Sequence, residues 1–172
     1  MTLKKLFAPP FLPSFQAVFA GSRVAAFIGR LDRFFIKLPH LPRRARLLIS
    51  KIVPFLALAF GIIGLLASLI TGFFLVLALL AWDTVILGEL SLSFGLVLLD
   101  TLLLLKAFKP LRAGNAVGWI YLFWAQSLEV LSFISRMVNG ESNWWLGSLT
   151  LVLGYYLLFE IGQFYVYKRT ET

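Results

Sequence analysis

Four long apolar blocks run through this chain, and its basic residues stand almost entirely on one side of the order those blocks impose. The first block, Ile52 to Trp82, is uncharged for 31 residues. About 20 apolar residues carry a helix across the hydrocarbon, so one upright span would not use this block up. Thr71-Gly72 offers a natural break. Ile52 to about Gly72 then reads as span one, with Pro54 tolerated in its first turn, where the missing N–H matters least. Phe73 to Trp82 continues as a tilted extension or lies in the interface, ending on an interface-loving Trp. The other spans run from about Leu90 to Phe108, Val117 to Ser135, and Trp144 to Tyr167. Hydrophobic residues make up 60% of the 172, against roughly 45–50% in soluble domains. A soluble domain of this size keeps about a third of its unfolded surface exposed, so lipid has to cover the excess. The pattern predicts an all-α integral membrane four-helix bundle with an N-terminal amphipathic interfacial helix.

Charge gives that bundle a direction. The segment before span one holds Lys4, Lys5, Arg23, Arg30, Arg33, Lys37, Arg43, Arg44, Arg46 and Lys51. The loop between spans two and three adds Lys106, Lys109 and Arg112, and the tail adds Lys168 and Arg169. These are 15 of the 16 Lys and Arg. The opposite side has Arg136 together with Asp83, Glu89 and Glu141. An even number of spans puts both termini and the middle loop on one face, and the positive-inside rule assigns that face to the cytoplasm. A bacterial inner membrane, with both ends cytoplasmic, is the expected location. The net charge of +8 is accounted for by orientation and anionic lipid, so no nucleic-acid partner is expected.

The N-terminal 50 residues form a basic segment of their own. Lys4-Lys5 ahead of apolar residues, with Val18-Phe19-Ala20 as a cleavage site, imitates a signal peptide. Pro9, Pro10 and Pro13 interrupt the apolar run, and cleavage would send Arg23 to Lys51 outward, so that reading is set aside. From about Phe15 to Leu38 the periodicity is helical. At about 100° per residue, Arg23, Arg30, Arg33 and Lys37 share one arc, and Val24, Phe27, Leu31, Phe34, Phe35 and Leu38 the next. A helix with these faces lies on an anionic leaflet, packs on the cytoplasmic ends of the bundle, or docks a partner. Pro39 and Pro42 end it, and Arg43, Arg44 and Arg46 lead into span one as further lipid-surface contacts.

Inside the spans the carboxylates and amides are few: Asp100, Gln126, Glu129, Glu160 and Gln163. A carboxylate at bilayer depth costs roughly 2.5–3.5 kcal/mol, so each should face the bundle interior or a wet cavity, paired or protonated. Glu160 lies near the cytoplasmic end of span four, within snorkelling reach of Lys106 or Arg112. Glu129 sits in the outer half of span three, below Arg136. These groups serve either as glue between helices, worth about 1 kcal/mol each, or as a path for protons or cations. Their staggered depths, and the lack of a broken-helix pair of the transporter kind, favour glue. Small residues recur at helical spacing: Gly61, Gly64, Ser68 and Gly72 in span one, and Gly147, Gly154 and Gly162 in span four. Such stripes serve helix packing within the bundle or in a homodimer. Trp119, Trp124, Trp144, Trp145, Tyr165 and Tyr167 lie near span ends and suggest an aromatic belt.

No chemistry announces itself. Cysteine is absent, which removes disulfides, thiolate metal sites and a cysteine nucleophile. The single histidine, His40, lies in a Pro-flanked segment outside the spans, so intramembrane haem ligation has no histidine to use. There is no Walker loop, dinucleotide fingerprint, GxSxG or HExxH. No cofactor, metal or catalytic residue is expected.

The layout LPHLPRRARLLISKIVPFLALAFGIIGLLASL, an acidic turn, GWIYLFWAQSLEVLSFIS and LGSLTLVLGYYLLFEIGQFYVYK resembles uncharacterised small four-span membrane proteins of reduced-genome, candidate-phylum bacteria. The likeness covers about Leu31 to Lys168. Its sharpest pieces are Gly118-Trp119 opening span three and the run Tyr155 to Ile161 toward the end of span four. The long N-terminal helix departs from that pattern. The resemblance implies four spans and supplies no catalytic residue. The expected function is a non-catalytic scaffold or accessory subunit that engages the phospholipid bilayer and a protein partner. The rival is a small permease or channel component using Asp100, Glu129 and Glu160.

Overall fold

The computed structural model describes residues 31, 34–35, 39–82, 84–138, 140 and 143–167. Arg23, Arg30, Arg33 and Lys37, on which the amphipathic helix was to rest, lie outside them, as do Lys168 and Arg169 of the tail. Four helices follow one another: α1 (Arg43–Ala81), α2 (Thr84–Arg112), α3 (Ala116–Val138) and α4 (Trp144–Tyr167). No strand occurs among the described residues. All four helices are long and apolar enough to cross a membrane. The chain is an all-α four-helix bundle of membrane-spanning character.

Close approaches at small residues set the register. As α1 climbs from Gly61 to Gly64 to Gly72, it meets Leu105, Thr101 and Phe94 of α2. The numbers fall on one helix as they rise on the other, so the pair is antiparallel. The same holds for α3 and α4: Phe133 sits on Gly147 and Gln126 on Gly154. At the α2–α3 corner the approach is tightest to backbone, and a Cβ on Gly118 would stand 2.6 Å from the Leu111 nitrogen. The small residues of spans one and four are therefore occupied within the chain, which is what permits backbones to come together where lipid offers no hydrophobic drive between helices. Ser68 hydrogen-bonds back to the Gly64 carbonyl at 2.8 Å; Gly162 is buried. α1 meets α4 over a shorter stretch than the other neighbouring helices meet.

Turn chemistry fixes the ends. Trp82 caps α1 in the left-handed conformation (φ 54°), its N–H reaching the Ala78 and Leu79 carbonyls. After α2, Gly114 takes φ 70° and donates to the Leu111 carbonyl at 2.9 Å; glycine enters this region without a Cβ clash. Asn115 then caps α3, its Oδ1 accepting from the Val117 N–H at 3.2 Å. These corners gather Arg43, Arg44, Lys51, Lys106, Lys109 and Arg112 at one end of the bundle, all exposed.

Two features differ from the sequence reading. α1 does not break at Thr71-Gly72. It runs unbroken for 39 residues, about 58 Å, because neither residue removes a backbone donor and Gly72 is packed against Phe94. The helix also starts at Arg43 rather than Ile52, since a charged segment forms a helix readily once it lies outside the hydrocarbon. Pro54 is consequently a residue of the helix interior, not of its first turn. It has no N–H for the carbonyl four residues back, that of Ser50. The Tyr165 hydroxyl of α4 supplies the missing donor, 2.9 Å from the Ser50 oxygen. Tyr165 is 4% exposed, so it belongs to the interior and not to the aromatic belt.

This pairing predicts non-additivity. Tyr165→Phe should cost about 1–3 kcal/mol, the penalty for a buried acceptor left without a donor, read as unfolding in mixed detergent micelles. In a Pro54→Ala background, where residue 54 regains its N–H, the same change should cost under about 0.5 kcal/mol. Equal losses in the two backgrounds would contradict the assignment.

Candidate functional site

Two polar clusters lie within the bundle, and they differ in kind. The first is centred on Glu160. Its side chain is 4% exposed, and its partners come from the chain ahead of and opening α1. His40 Nδ1 lies 2.7 Å from Oε1, a geometry in which the ring N–H donates to the carboxylate. Arg46 Nε forms an ion pair with Oε2 at 3.6 Å. This corrects the expectation that Lys106 or Arg112 would reach Glu160. The cause is the course of the chain around Pro39 and Pro42. The Tyr156 hydroxyl donates to the Pro39 carbonyl at 2.5 Å, and the Phe35 ring stacks on Phe159 with centroids 5.0 Å apart. Phe35 and the stretch from Pro39 to Ser50 thus lie across α4 and are held there at Tyr156, Phe159, Glu160 and Tyr165.

Beside it stands an aromatic core. Trp119 is fully buried and its Nε1–H donates to the Leu158 carbonyl at 2.8 Å. Its ring stacks on Phe123 and meets Phe159 edge-on. The belt assignment is corrected here too: Trp119 is core, because the close approach at Gly118 turns this end of α3 against α2 and α4. Trp144 and Trp145, by contrast, are exposed at 50% and 68%.

The second cluster lines a cavity of about 460 Å³ among all four helices. Asp100, Thr101, Gln126, Glu129 and Ser132 contribute its polar surface. Its walls are otherwise apolar, with Phe60, Ile63, Leu96, Leu104, Leu122 and Leu157 prominent. Phe60 and Ile63 are 57% and 60% exposed, so this is a cleft with an open mouth beside α1. Glu129 pairs with Arg136 at 3.4 Å near the rim, both more than half exposed. Asp100 is half-buried and has no ion-pair partner among the described residues. Glu160 is not among the lining residues, so Asp100 and Glu129 share one space and Glu160 belongs to another. The Gln163 side chain lies outside the described residues.

Hydroxyls in apolar helices ordinarily bond the carbonyl one turn back. Ser68, Thr71, Ser91, Ser127, Ser148 and Thr150 do so. Thr101 does not: it is 1% exposed and its Oγ1 has no hydrogen-bond partner among the described residues. No group of three or more His, Asp or Glu suited to a metal ion occurs among those residues.

No family model matches the chain, and neither a curated protein nor a solved structure does.

Removing one member of a buried ion pair strands the other, at about 3–5 kcal/mol. Arg46→Ala should therefore destabilise far more than Arg44→Ala, whose side chain is exposed. Arg46→Leu combined with Glu160→Leu should recover most of the loss, because apolar residues replace a buried pair at little cost. Denaturation midpoints in mixed micelles test both, and a single-variant loss no greater than that of Arg44→Ala would refute the dependence of Glu160 on this cation.

Proposed function

We propose that the chain is a non-catalytic, multi-pass protein of a bacterial cytoplasmic membrane, a scaffold or accessory subunit that engages anionic lipid and a protein partner, with both ends on the cytoplasmic side. The observation carrying this reading is the fastening of the N-terminal segment to α4 through Glu160, His40 and Arg46. It fixes His40 and Arg46 at the end where the exposed cations of α1 and α2 gather. Juxtamembrane cations contribute about 1 kcal/mol each toward an anionic leaflet. The resemblance to small four-span bacterial proteins agrees with this location. Because the small residues of α1 and α4 face helices of the same chain, a partner of different sequence is favoured over self-association through those stripes. The exposed apolar side of α1 offers a surface longer than the hydrocarbon is thick.

A second reading, a small permease or channel component for protons or small cations, draws on the shared cleft of Asp100 and Glu129. It is weakened by Glu160, which is tied into the neutralised cluster on α4.

Reporter fusions at the middle loop and the C-terminus should both signal the cytoplasm, and affinity purification from native membranes should recover a second polypeptide in fixed ratio. A tail and middle loop on opposite faces would sink the orientation. Glu129→Gln abolishing proton-coupled flux in proteoliposomes, with the fold retained, would transfer the preference to the permease reading.

A further inference from the structure

We propose that the cleft at Asp100 is a binding site for a monovalent organic cation with an apolar body, a protonated lipophilic amine, that enters sideways from the bilayer. This goes beyond the lipid and partner reading and does not rest on it.

Three observations meet at one place. The first is charge. Asp100 faces an apolar cleft without a countercharge among the described residues, whereas Glu129 has Arg136 and Glu160 has His40 and Arg46. A carboxylate at bilayer depth needs a partner or a proton, and a ligand cation is such a partner. The second is hydrogen bonding. Thr101, one residue on, is a lining residue whose buried hydroxyl packs against Gly64 of α1 and has no hydrogen-bond partner among the described residues. Gln126 presents its amide from the facing helix, held flat against Gly154. The Asp100 carboxylate and the Gln126 carbonyl can both accept from an ammonium N–H, and it is the unpaired carboxylate that disfavours an anion here. The third is shape. About 460 Å³ falls in the range of small-molecule sites, and the walls formed by Leu96, Leu104, Leu122 and Leu157 match a hydrocarbon or aryl body.

The same features argue against a bare metal ion. Calcium takes six to eight oxygen ligands and magnesium holds its waters tightly, while this cleft offers one unpaired carboxylate among apolar walls. Entry from the side follows from the exposure of Phe60 and Ile63 and from the short contact between α1 and α4. An amine already partitioned into the membrane reaches the mouth without crossing water.

Isothermal titration of the full chain in dodecyl maltoside micelles, with empty micelles subtracted, provides the test. The probe is 3,3-diphenylpropylamine at neutral pH, with 3,3-diphenylpropanol as its uncharged counterpart. Saturable binding at one site per chain is expected, weakened at least tenfold by Asp100→Asn and at least tenfold for the alcohol. Ile63→Trp, at the exposed mouth, should weaken it about fivefold; this variant decides the matter if Asp100→Asn loses its helical signal or aggregates on gel filtration. Equal binding of amine and alcohol would make the cleft a groove for acyl chains and overturn the proposal. Unchanged binding by a folded Asp100→Asn, competition by magnesium or calcium alone, or uptake that never saturates would overturn it as well.

Discussion

A carboxylate closed off from water in an apolar bundle must be neutralised, and Glu160 imposes that demand on the rest of this molecule. Its answer comes from residues more than a hundred positions earlier, His40 and Arg46. To deliver them, the chain has to lie across α4, and Phe35, Pro39 and Ser50 come to rest on Phe159, Tyr156 and Tyr165 along the way. The contact between α1 and α4 is short, so the seam that closes the bundle depends on this cluster. Burial of the charge and closure of the fold are two descriptions of one event. A buried ion pair is seldom a net source of stability when set against apolar alternatives. Its value here is specificity: few other placements of the N-terminal segment would leave Glu160 satisfied.

Most of the architecture was legible from local signals. Hydropathy over some twenty residues is a property of the segment itself, and so is the lopsided placement of Lys and Arg. The spacing of Gly61, Gly64, Gly72, Gly147 and Gly154 also announced faces for close packing. What it did not announce was their partners, because a stripe reads the same whether a helix of the same chain or of another copy covers it. Helix ends were harder. Charge marked the first span as starting at Ile52, yet hydrogen bonding carries the helix back to Arg43. That displacement moved Pro54 from a harmless first turn into the middle of a helix.

Side-chain roles at the span ends were the least legible. Trp119 and Tyr165 occupy positions where interfacial aromatics gather, but position along an axis says nothing about the direction in which a ring points. A cue was available: Gly118 beside Trp119 marks a tight backbone approach, and an aromatic next to one tends to be enclosed. The pairing of His40 with Glu160 also left a trace. A lone histidine between prolines had no evident partner, while the acid near the end of span four was matched to Lys106 or Arg112 instead. Sequence separation hid the match, since nothing local predicts that the segment folds onto α4. Asp100, Glu129 and Glu160 were grouped together as intramembrane acids, and the separation of Glu160 into a different space required the fold.

The proline of α1 has a wider meaning. A helix that lacks one internal donor has, in effect, exported a valence, and the Ser50 oxygen carries it to the surface of α1 as an address that one hydroxyl on α4 can read. Positions 54 and 165 are in this sense a single character spread over two helices. A lineage that exchanged the proline for an ordinary residue would have no remaining use for the phenol oxygen, and phenylalanine would serve equally well. The two should drift or persist together, and their joint history would record the docking of α1 on α4 more faithfully than any apolar contact between them.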